Sequence, residues 1–369
     1  MNLEVQRSEL NRIRVDGSDA DQLQADQARI RIDHFALSTN NITYAVYGEA
    51  MRYWDFFPAG PPEDADGAPW GRIPVWAFGE VVETNSPDVA IGERLFGYFP
   101  MGSELVITVG RADSYSVFDV APHRAEMASA YSSYVRSASD PIYRADREDA
   151  QMLLYPLFFT SFLVDDYLVD NEGFGSDTVI VSSASSKTSI GVAYLGHRRG
   201  ARVIGLTSTA NVAFVESLGV YDEVCTYDAI DQLVVSPAVY VDVAGNRDVL
   251  GAVHRRFGQE LAHSMMVGGT HWDHQAEPVT DDLPGPTPAF FFAPSQISKR
   301  NKDWGREELN DRLSQAWVGY LEWTDGWIAF QHAQGTDAVS AVYLELLGGR
   351  PDPRAGYICS LVTSEQSAS

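Results

Sequence analysis

A serine-rich segment in the middle of the chain, residues 182–188 (SSASSKT), has the composition of an anion-binding turn. It follows an apolar run, 178–181, and precedes a predicted helix. The first N–H groups of a helix have no partner within it, so a phosphate can bind there. Serine hydroxyls can bond phosphate oxygens, and a lysine adds positive charge. We therefore expect a dinucleotide to contact Ser183, Ala184, Ser185, Ser186, Lys187 and Thr188. Glycine is usual in such a turn, so a turn that has lost its cofactor and only packs is the alternative.

The end of the next predicted strand indicates which nucleotide would bind. NAD enzymes typically place an acidic residue there to bond the ribose hydroxyls. No acidic residue is present there. Thr207, Ser208 and Asn211 could instead donate hydrogen bonds to a 2′-phosphate, which an acidic residue would repel. The pattern therefore favours NADP(H) over NAD. The alternative is ordinary capping of the following helix by Ser208 or Thr207.

The elements that must position these residues alternate in the second half of the chain. Apolar strands are predicted at 178–181, 201–208, 238–245, 264–269 and 289–294, with helices between them. Such alternation is typical of a doubly wound parallel α/β sheet, which binds ligands at the carboxyl ends of its strands. The first half is β-rich, with strands predicted at 27–37, 75–83 and 89–99. Helices are predicted at 149–167, 301–320 and 337–347, and a last strand at 357–362.

Composition excludes several classes of protein. The chain of 369 residues is long enough for two domains, and its net charge of -24 argues against nucleic acid and anionic membranes as partners. Cys225 and Cys359 lie in apolar contexts and are predicted to be buried thiols, too few for a disulfide framework or a thiolate zinc site. There is no run of eighteen apolar residues and no apolar core of a signal peptide at the N-terminus, so we expect a soluble cytoplasmic protein.

Five segments in order resemble motifs of the medium-chain dehydrogenase/reductase superfamily, over nearly the whole chain. They are FALSTNNITY at 35–44, IPVWAFGEVVE at 73–83, VAIGERLFG at 89–97, FTSF at 159–162, and residues 338–349 followed by GYI at 356–358. Segments 40–44, 51–58 and 183–187 further resemble a bacterial branch without an assigned function. The resemblance implies a twisted β-barrel-like (GroES-like) catalytic domain, residues 1–150 and 301–369, with an inserted Rossmann nucleotide-binding domain, residues 151–300.

The resemblance also implies which relatives are nearer. Zinc alcohol dehydrogenases carry a Cys/His/Glu zinc set, but this chain has no cysteine before Cys225 and has Phe78-Gly79-Glu80 where that family has Gly-His-Glu. We therefore expect no metal, and a likeness to the zinc-independent quinone oxidoreductases and enoyl reductases, which use NADPH. In these relatives the loops after the later strands contact the ribose and nicotinamide, which assigns Gly245, Gly268 and Gly269 to the cofactor site. Simple turn chemistry is the alternative for these glycines.

The resemblance places a proton donor near the start of the chain. Similar enoyl reductases use a tyrosine from this region, which here is Tyr47 or Tyr44, and Asn41 would hold the substrate carbonyl. Tyrosines packed in the core are the alternative, since the chain has 17 of them.

Four more residues are candidates for substrate contact: Arg52, Tyr53, Trp54 and His271. Arg52, expected to be buried, could clamp a carboxylate or pair with Asp55 or Glu49. The aromatic rings beside it suit a planar substrate or a core. His271 lies on a short loop with Asp273 and His274. Three ligands on so short a loop rarely reach tetrahedral geometry, so a solvated loop or a substrate-gating loop is favoured over a metal site.

The pattern as a whole predicts a zinc-independent NADP(H)-dependent oxidoreductase that transfers hydride to an activated C=C or C=O of a small organic substrate. A lyase on the same fold, using tyrosine or histidine acid–base catalysis, is one alternative. A non-catalytic binding protein is another, and nucleotide binding would separate the first from both. The resemblance also implies a homodimer through an edge strand of the nucleotide domain. The apolar run 289–293 could be that edge, and a core strand would have the same composition.

Overall fold

The computed structural model describes residues 1–17, 22–60, 67–267, 283–349 and 351–362. The chain divides into two compact units, Met1–Leu153 with Ile328–Ser369, and Leu154–Trp327. The predicted domain boundaries lie after residues 150 and 300, so residues 301–327 belong to the second unit although they were expected in the catalytic domain. The limits of independently folding domains stay a prediction.

Seventeen strands and eight helices occur in the described residues. The strands are β1 Asn2–Gln6, β2 Glu9–Asp16, β3 Gln27–Leu37, β4 Trp70–Gly71, β5 Pro74–Thr84, β6 Arg94–Pro100, β7 Glu104–Ala112, β8 Ser116–Asp119, β9 Ser133–Arg136, β10 Thr178–Val181, β11 Arg202–Thr207, β12 Glu223–Thr226, β13 Ala238–Asp242, β14 Leu261–Met266, β15 Ala289–Phe290, β16 Ala329–Gln334 and β17 Ala355–Ser360. The helices are α1 Thr39–Val46, α2 Glu148–Asp170, α3 Lys187–Arg198, α4 Val212–Ser217, α5 Arg247–Phe257, α6 Ala293–Asp303, α7 Arg306–Thr324 and α8 Thr336–Leu347.

The first unit contains a closed sheet. Its strand order is β16-β17-β3-β5-β6-β9-β8-β7, and β3 also pairs with β7, so six strands from β3 to β7 close on themselves. Alternate residues of β5 point into the barrel core, where Val75, Ala77 and Val81 are fully buried. This is the barrel-like architecture that the sequence predicts.

A second, smaller sheet precedes the barrel along the chain. Its order is β2-β1-β4, and the β1–β2 pair is an antiparallel hairpin. The sequence analysis does not predict these strands. The five residues of β1 are all buried, including Glu4, which binds Arg14 and Arg72 at 2.7 and 2.8 Å. The strand alternates polar and apolar residues, but both kinds are buried. The alternation therefore does not distinguish a buried face from an exposed one here.

The motif 89–97 contains an arginine, Arg94, that binds the start of α2. Arg94 donates to Glu148 at 2.5 and 2.6 Å and to Asp33 at 2.6 Å. Burial opposes the charge of Glu148, but hydrogen bonds from His34, Arg94 and Tyr143 outweigh it and lower the pKa of this carboxyl to about 2. The ion pair therefore persists through the neutral pH range.

The second unit is built on a parallel sheet in the order β12-β11-β10-β13-β14-β15. All four residues of β10 and all five of β13 are buried, as expected for central strands covered on both faces. The strand order runs outward from β10 in one direction and outward from β13 in the other. The doubly wound prediction is confirmed.

The part of α2 that belongs to the second unit, residues 154–170, packs there through its aromatic residues. The ring of Phe158 lies 5.6 Å from Trp317 and 4.4 Å from Tyr320 of α7. By length and composition, residues Ala145–Asp170 could cross a membrane, and 44% of the most apolar window is buried within the protein. A core helix of a soluble protein can have the same length and apolar composition, so these two properties are weak evidence for a membrane span.

Two expectations about secondary structure were inaccurate. The single helix expected at 301–320 is two helices, α6 and α7, which separate at Gly305 with a φ of +88°. The strand expected at 289–294 is two residues long, at an edge of the described sheet, and dimerisation through it stays a prediction.

Both cysteines are buried, as predicted. Burial raises the pKa of the Cys225 thiol to about 11 and that of Cys359 to about 12. Both thiols are therefore protonated at neutral pH, which makes them poor nucleophiles.

The barrel depends on a close backbone approach at Gly79, and Gly79→Ala tests it. An added Cβ would lie 2.7 Å from the Arg31 carbonyl oxygen and 2.6 Å from Ile30 Cγ2. Because a strand backbone cannot move as a flexible side chain can, we expect a loss of about 1–3 kcal/mol in the free energy of unfolding. Urea unfolding measures it. Gly92→Ala would add backbone strain at its φ of +84°, so Gly60→Ala is the matched control, since an added Cβ there meets no atom of the described residues within 4 Å. Equal stability of the two variants would contradict this account of the barrel.

Candidate functional site

The candidate nucleotide site lies at the carboxyl edge of the parallel sheet, where β10 and β13 are neighbours. The connections after these two strands leave in opposite directions along the sheet, which opens a crevice between them. The turn 182–186 follows β10, and the loop 243–246 follows β13. Within the described residues, these two loops are the ones that border the reversal of strand order.

One buried serine joins the two loops. Ser182 donates its hydroxyl to Asp242 Oδ1 at 2.7 Å, and the Val243 and Ala244 N–H groups donate to Ser182 Oγ at 2.9 and 3.0 Å. Ser182 is fully buried and Asp242 is 2% exposed. We call this arrangement the Ser182–Asp242 lock. It holds the ends of the two strands in fixed register at the crevice.

The carboxylate of Asp242 accepts further hydrogen bonds. Gly245 N–H and the Tyr240 hydroxyl donate to Oδ1, each at 3.2 Å. Burial raises the pKa of this carboxyl above its usual range, although hydrogen bonds from Ser182, Gly245 and Tyr240 work in the opposite direction. The lock therefore contains an acid that is more easily protonated than an exposed aspartate.

The turn after Ser182 approaches the neighbouring strand closely. Ser183 has a φ of +51°, in the left-handed region that normally favours glycine. The Ala184 N–H donates to the Leu206 carbonyl at 2.9 Å, and a Cβ on Gly205 would lie 2.9 Å from Ala184 Cβ. The glycine needed for the close approach is thus on β11, so the turn itself can contain serines.

Helix α3 begins directly after this turn. Ser186 is its N-cap, and the Ser189 N–H donates to Ser186 Oγ at 3.2 Å. Lys187 is the first helical residue and is half-buried, as is Thr188. Lys187 is one of three lysines in the chain, and it places a positive charge at this helix N-terminus in a protein with a net charge of -24. The helix N-terminus and this lysine both favour an anion here.

The residues predicted to contact a 2′-phosphate follow β11. Thr207 is buried at 1% exposure, whereas Ser208 and Asn211 are half-buried. Asn211 donates its side-chain amide to Ser185 Oγ at 3.0 Å, which joins this segment to the serine-rich turn. Ser208 is the N-cap of a short 3-10 turn but makes no capping side-chain hydrogen bond. Its hydroxyl is therefore not used in the helix cap that was the alternative prediction for this residue.

Of the remaining predicted cofactor residues, Gly245 lies among the residues that the structure describes, and the others do not. Gly245 is exposed, has a φ of +63°, and lies on the loop that the lock holds. Gly268, Gly269 and His271 lie outside the described residues. Their roles therefore stay predictions.

In the first unit, Tyr44 lies on α1 and is 7% exposed. Its ring packs 4.5 Å from Tyr53 and 5.7 Å from Tyr98. Burial raises the pKa of Tyr44, partly offset by the side chains of Asn40, Trp76 and Tyr98. The phenol is therefore protonated at neutral pH and can act as an acid. Tyr47, the other predicted donor, is half-buried at the C-cap of α1.

Asn41 has a structural role in this site. Its Oδ1 accepts from the Ser38 N–H at 2.8 Å, completing a capping box, and its Nδ2 donates to the Pro74 carbonyl at 2.9 Å. These bonds fix α1 against the first residue of β5 and so set the position of Tyr44. They engage both ends of the amide, so nothing in the geometry favours the predicted contact with substrate.

The candidates at 52–54 differ in their surroundings. Arg52 was expected to be buried, but its side chain is 49% exposed and pairs with Asp55 at 2.9 Å and Glu126 at 3.2 Å. Trp54 is a core residue, since added Cβ atoms on Gly48 and Gly71 would lie within 2.4 Å of its ring. Tyr53 alone joins the aromatic residues around Tyr44.

These aromatic residues include members that the sequence analysis does not single out. We call Tyr44, Tyr53, Tyr98, Tyr131 and Trp76 the tyrosine cluster. Trp76 on β5 is directly opposite Tyr98 on β6, and the next same-face pair is Phe78 and Phe96. Aromatic residues at alternating positions of both strands are the sequence signal that could have identified this face. Tyr131 comes from a 3-10 turn and carries no such signal.

The described residues contain no group of three or more His, Cys, Asp or Glu side chains that could hold a metal ion. The histidines of the 271–274 loop lie outside the residues described. The expectation of a metal-free site stays a prediction.

Several solved structures have a similar fold along almost their whole length. CurA from Vibrio vulnificus, in complex with NADPH, matches with a TM-score of 0.58 and 12% identity, over 95% of this chain and 94% of that one. The quinone oxidoreductase from Coxiella burnetii matches with a TM-score of 0.56 and 13% identity, over 97% and 98%. A mutant form of enoyl thioester reductase from Candida tropicalis matches with a TM-score of 0.52 and 13% identity, over 97% and 98%.

The chain therefore has the fold of the medium-chain dehydrogenases/reductases, and the predicted resemblance is confirmed. Its residues 35–352 match the model of a family described as "Protein of unknown function (DUF2855)", and the chain belongs to that family. Among curated proteins, none matches this sequence.

The raised pKa of Asp242 gives a test of the lock by pH. A carboxyl whose folded-state pKa lies above its unfolded value stabilises the fold when protonated. That contribution is complete below the unfolded pKa and is lost as pH rises through the folded one. We therefore expect the wild type to gain stability relative to Asp242→Asn, on the order of 1 kcal/mol, as pH falls from about 7 to about 4. Urea unfolding at each pH measures this difference.

The control for this comparison is Asp311→Asn, which removes a carboxylate from the exposed surface of α7. If the wild type and Asp242→Asn lost stability in parallel as the pH falls, the assignment of a raised pKa to Asp242 would be wrong.

Proposed function

We propose that the protein is an NADP(H)-dependent oxidoreductase that reduces an activated C=C or C=O bond of a small organic substrate. The observation that carries the proposal is the crevice between β10 and β13. The Ser182–Asp242 lock joins the loops that border this crevice, and one of these loops is the turn that leads into the N-terminus of α3. This is where doubly wound folds bind a pyrophosphate.

The similar folds support the choice of cofactor. CurA was solved with NADPH, and the Mesorhizobium loti structure of similar fold is titled a putative NADPH:quinone reductase. In this chain, the end of β11 has no acidic side chain. The half-buried Ser208 and Asn211 would offer hydroxyl and amide groups to a 2′-phosphate, whereas Thr207 is buried and would act only by supporting them. Lys187 would supply charge at the pyrophosphate. NADP(H), when bound, would supply the hydride.

The first unit supplies the proton in this proposal. Tyr44 is the better candidate of the two tyrosines, because burial keeps it protonated and three side chains, Asn40, Trp76 and Tyr98, favour its phenolate. An acid that is neutral at rest and stabilised once it has lost its proton is suited to protonate an enolate.

Nucleotide binding is the first test, by calorimetry on cofactor-free protein. We expect micromolar affinity for NADPH and weaker binding of NADH. Lys187→Ala should weaken both about tenfold, because it removes a charge-assisted contact to phosphate. Ser208→Asp should weaken NADPH more than NADH, because a carboxylate repels a 2′-phosphate.

Lys302→Ala is the control, since it removes one of the other two lysines, on α6. It should leave both affinities unchanged. If neither nucleotide binds, the reductase proposal is wrong, and the lyase and binding-protein alternatives gain support.

The proton donor is tested by Tyr44→Phe and Tyr47→Phe, assayed by NADPH oxidation with an enone or aryl ketone. We expect Tyr44→Phe to lower kcat about 100-fold, the usual contribution of a general acid, while the Kd for NADPH is unchanged. Tyr47→Phe should have a much smaller effect. The reverse order of the two losses would move the role to Tyr47.

A further inference from the structure

The second unit contains a cavity of about 170 Å³ beside the last strands of its described sheet. Side chains of β14, β15, α2 and the start of α6 line it, among them Tyr167, His263, Phe291 and Gln296. We call it the edge cavity. Strands β14 and β15 follow β13 in the sheet, so the edge cavity is separate from the nucleotide crevice between β10 and β13.

The lining of the edge cavity is mainly apolar and aromatic. Tyr167 and Met265 line it from α2 and β14, and Phe290, Phe291 and Phe292 line it from β15 and the residues directly after. Phe291 is 8% exposed, whereas Phe290 and Phe292 are each 38% exposed, so the lining extends from the core to the surface. An apolar cavity of about 150 Å³ can hold one benzene ring. The edge cavity therefore has the size and the walls for a single aromatic ring.

One polar group in this lining is buried without a partner. The Nε2 atom of His263 makes no hydrogen bond of acceptable geometry with the described residues. The His263 ring stacks on Phe174, with centroids 4.0 Å apart and 6° between the planes, and this contact fixes its orientation. A buried polar atom without a partner is costly, so a ligand or a water normally completes it.

The electrostatics of the edge cavity favour an uncharged hydroxyl compound. Burial lowers the pKa of His263, so the imidazole is neutral at pH 7. Its Nε2 then carries either a proton or a lone pair, and a hydroxyl can bond to both, because it donates and accepts.

An anion is disfavoured in the same place. The described lining contains no lysine or arginine. Gln296 donates to Asp166 at 2.5 Å, and Arg300 donates to the same carboxylate oxygen at 2.7 Å, so the charges next to the lining already neutralise each other. A carboxylate in the cavity would therefore lose its hydration without gaining a counter-charge.

We propose that the edge cavity binds a small, uncharged phenol, with its ring among the aromatic side chains and its hydroxyl bonded to His263 Nε2. The volume selects a single ring, the apolar walls select an uncharged one, and the unpartnered nitrogen selects the hydroxyl. The inference goes beyond the proposed function, because this site needs no nucleotide and lies within the second unit alone. The protein would thus bind a second small molecule apart from the crevice.

Phenol and toluene are matched probes, because they have nearly the same outline and only phenol has a hydroxyl. Calorimetry on the full chain without nucleotide measures both affinities. We expect phenol to bind, and His263→Phe to weaken phenol relative to toluene about tenfold, because one hydrogen bond is worth about that factor. Phenylalanine can keep the stacking on Phe174 and removes the unpartnered nitrogen, so the melting temperature should not fall.

A second variant tests the position of the site. Ser295 lines the edge cavity and is exposed, so Ser295→Phe should fill the cavity without disturbing the core and should abolish binding of both probes. Ser298→Phe is the matched control, since Ser298 is exposed on the same helix and is not part of the lining. It should leave both affinities unchanged.

No binding of phenol, an unchanged preference in His263→Phe, or binding that survives Ser295→Phe would overturn this inference. Sedimentation tests another occupant, a second copy of the chain. If the wild type is a dimer that Ser295→Phe dissociates, and phenol does not bind, the edge cavity is a contact between copies and the inference is wrong. NADPH affinity should be the same in all three variants, which distinguishes failure of this site from failure of the proposed function.

Discussion

The hydrogen bonds between Ser182 and Asp242 join the two loops that leave the parallel sheet where its strand order reverses. The backbone ladder between β10 and β13 ends there, with the Ser182 N–H donating to the Val241 carbonyl at 3.1 Å, and the two loops then leave in opposite directions. One buried hydroxyl both donates to the carboxylate and accepts from the Val243 and Ala244 N–H groups. Removing it would leave several buried polar atoms without partners at once, which costs more than the single bond is worth. The geometry of the crevice therefore depends on this one contact.

The same principle explains why serine can replace glycine in the turn. Ser182 bonds to the neighbouring loop, and Ser189 donates to the Ser182 carbonyl at 2.8 Å. Ser186 caps α3. Each of these hydroxyls is used inside the fold, so it adds no bulk to the crevice. The close approach that glycine normally permits is provided from β11, at Gly205, which accommodates Ala184.

Much of the fold could be predicted from the sequence, because the periodicities of β3, β5, α2 and the parallel strands are local properties. The site was less predictable where a residue's role depends on distant partners. Trp54 is a core residue because Gly48 and Gly71 leave room for its ring, and only the folded chain brings them together. Arg52 is exposed and pairs with Glu126, which lies 74 residues further along the chain, so a local pattern could not indicate its surroundings. Tyr98 and Trp76 become partners through the register of β5 and β6, which hydrophobicity alone does not specify.

The Ser182–Asp242 lock and the surroundings of Tyr44 act on their titratable groups in different ways. The lock satisfies its hydroxyl, carboxylate and amides internally. Burial raises the pKa of Tyr44, and the side chains of Asn40, Trp76 and Tyr98 offset part of that effect. In the proposed reaction, hydride addition to a conjugated carbonyl would create an enolate. A neutral phenol whose anion these side chains stabilise would be suited to give that enolate its proton.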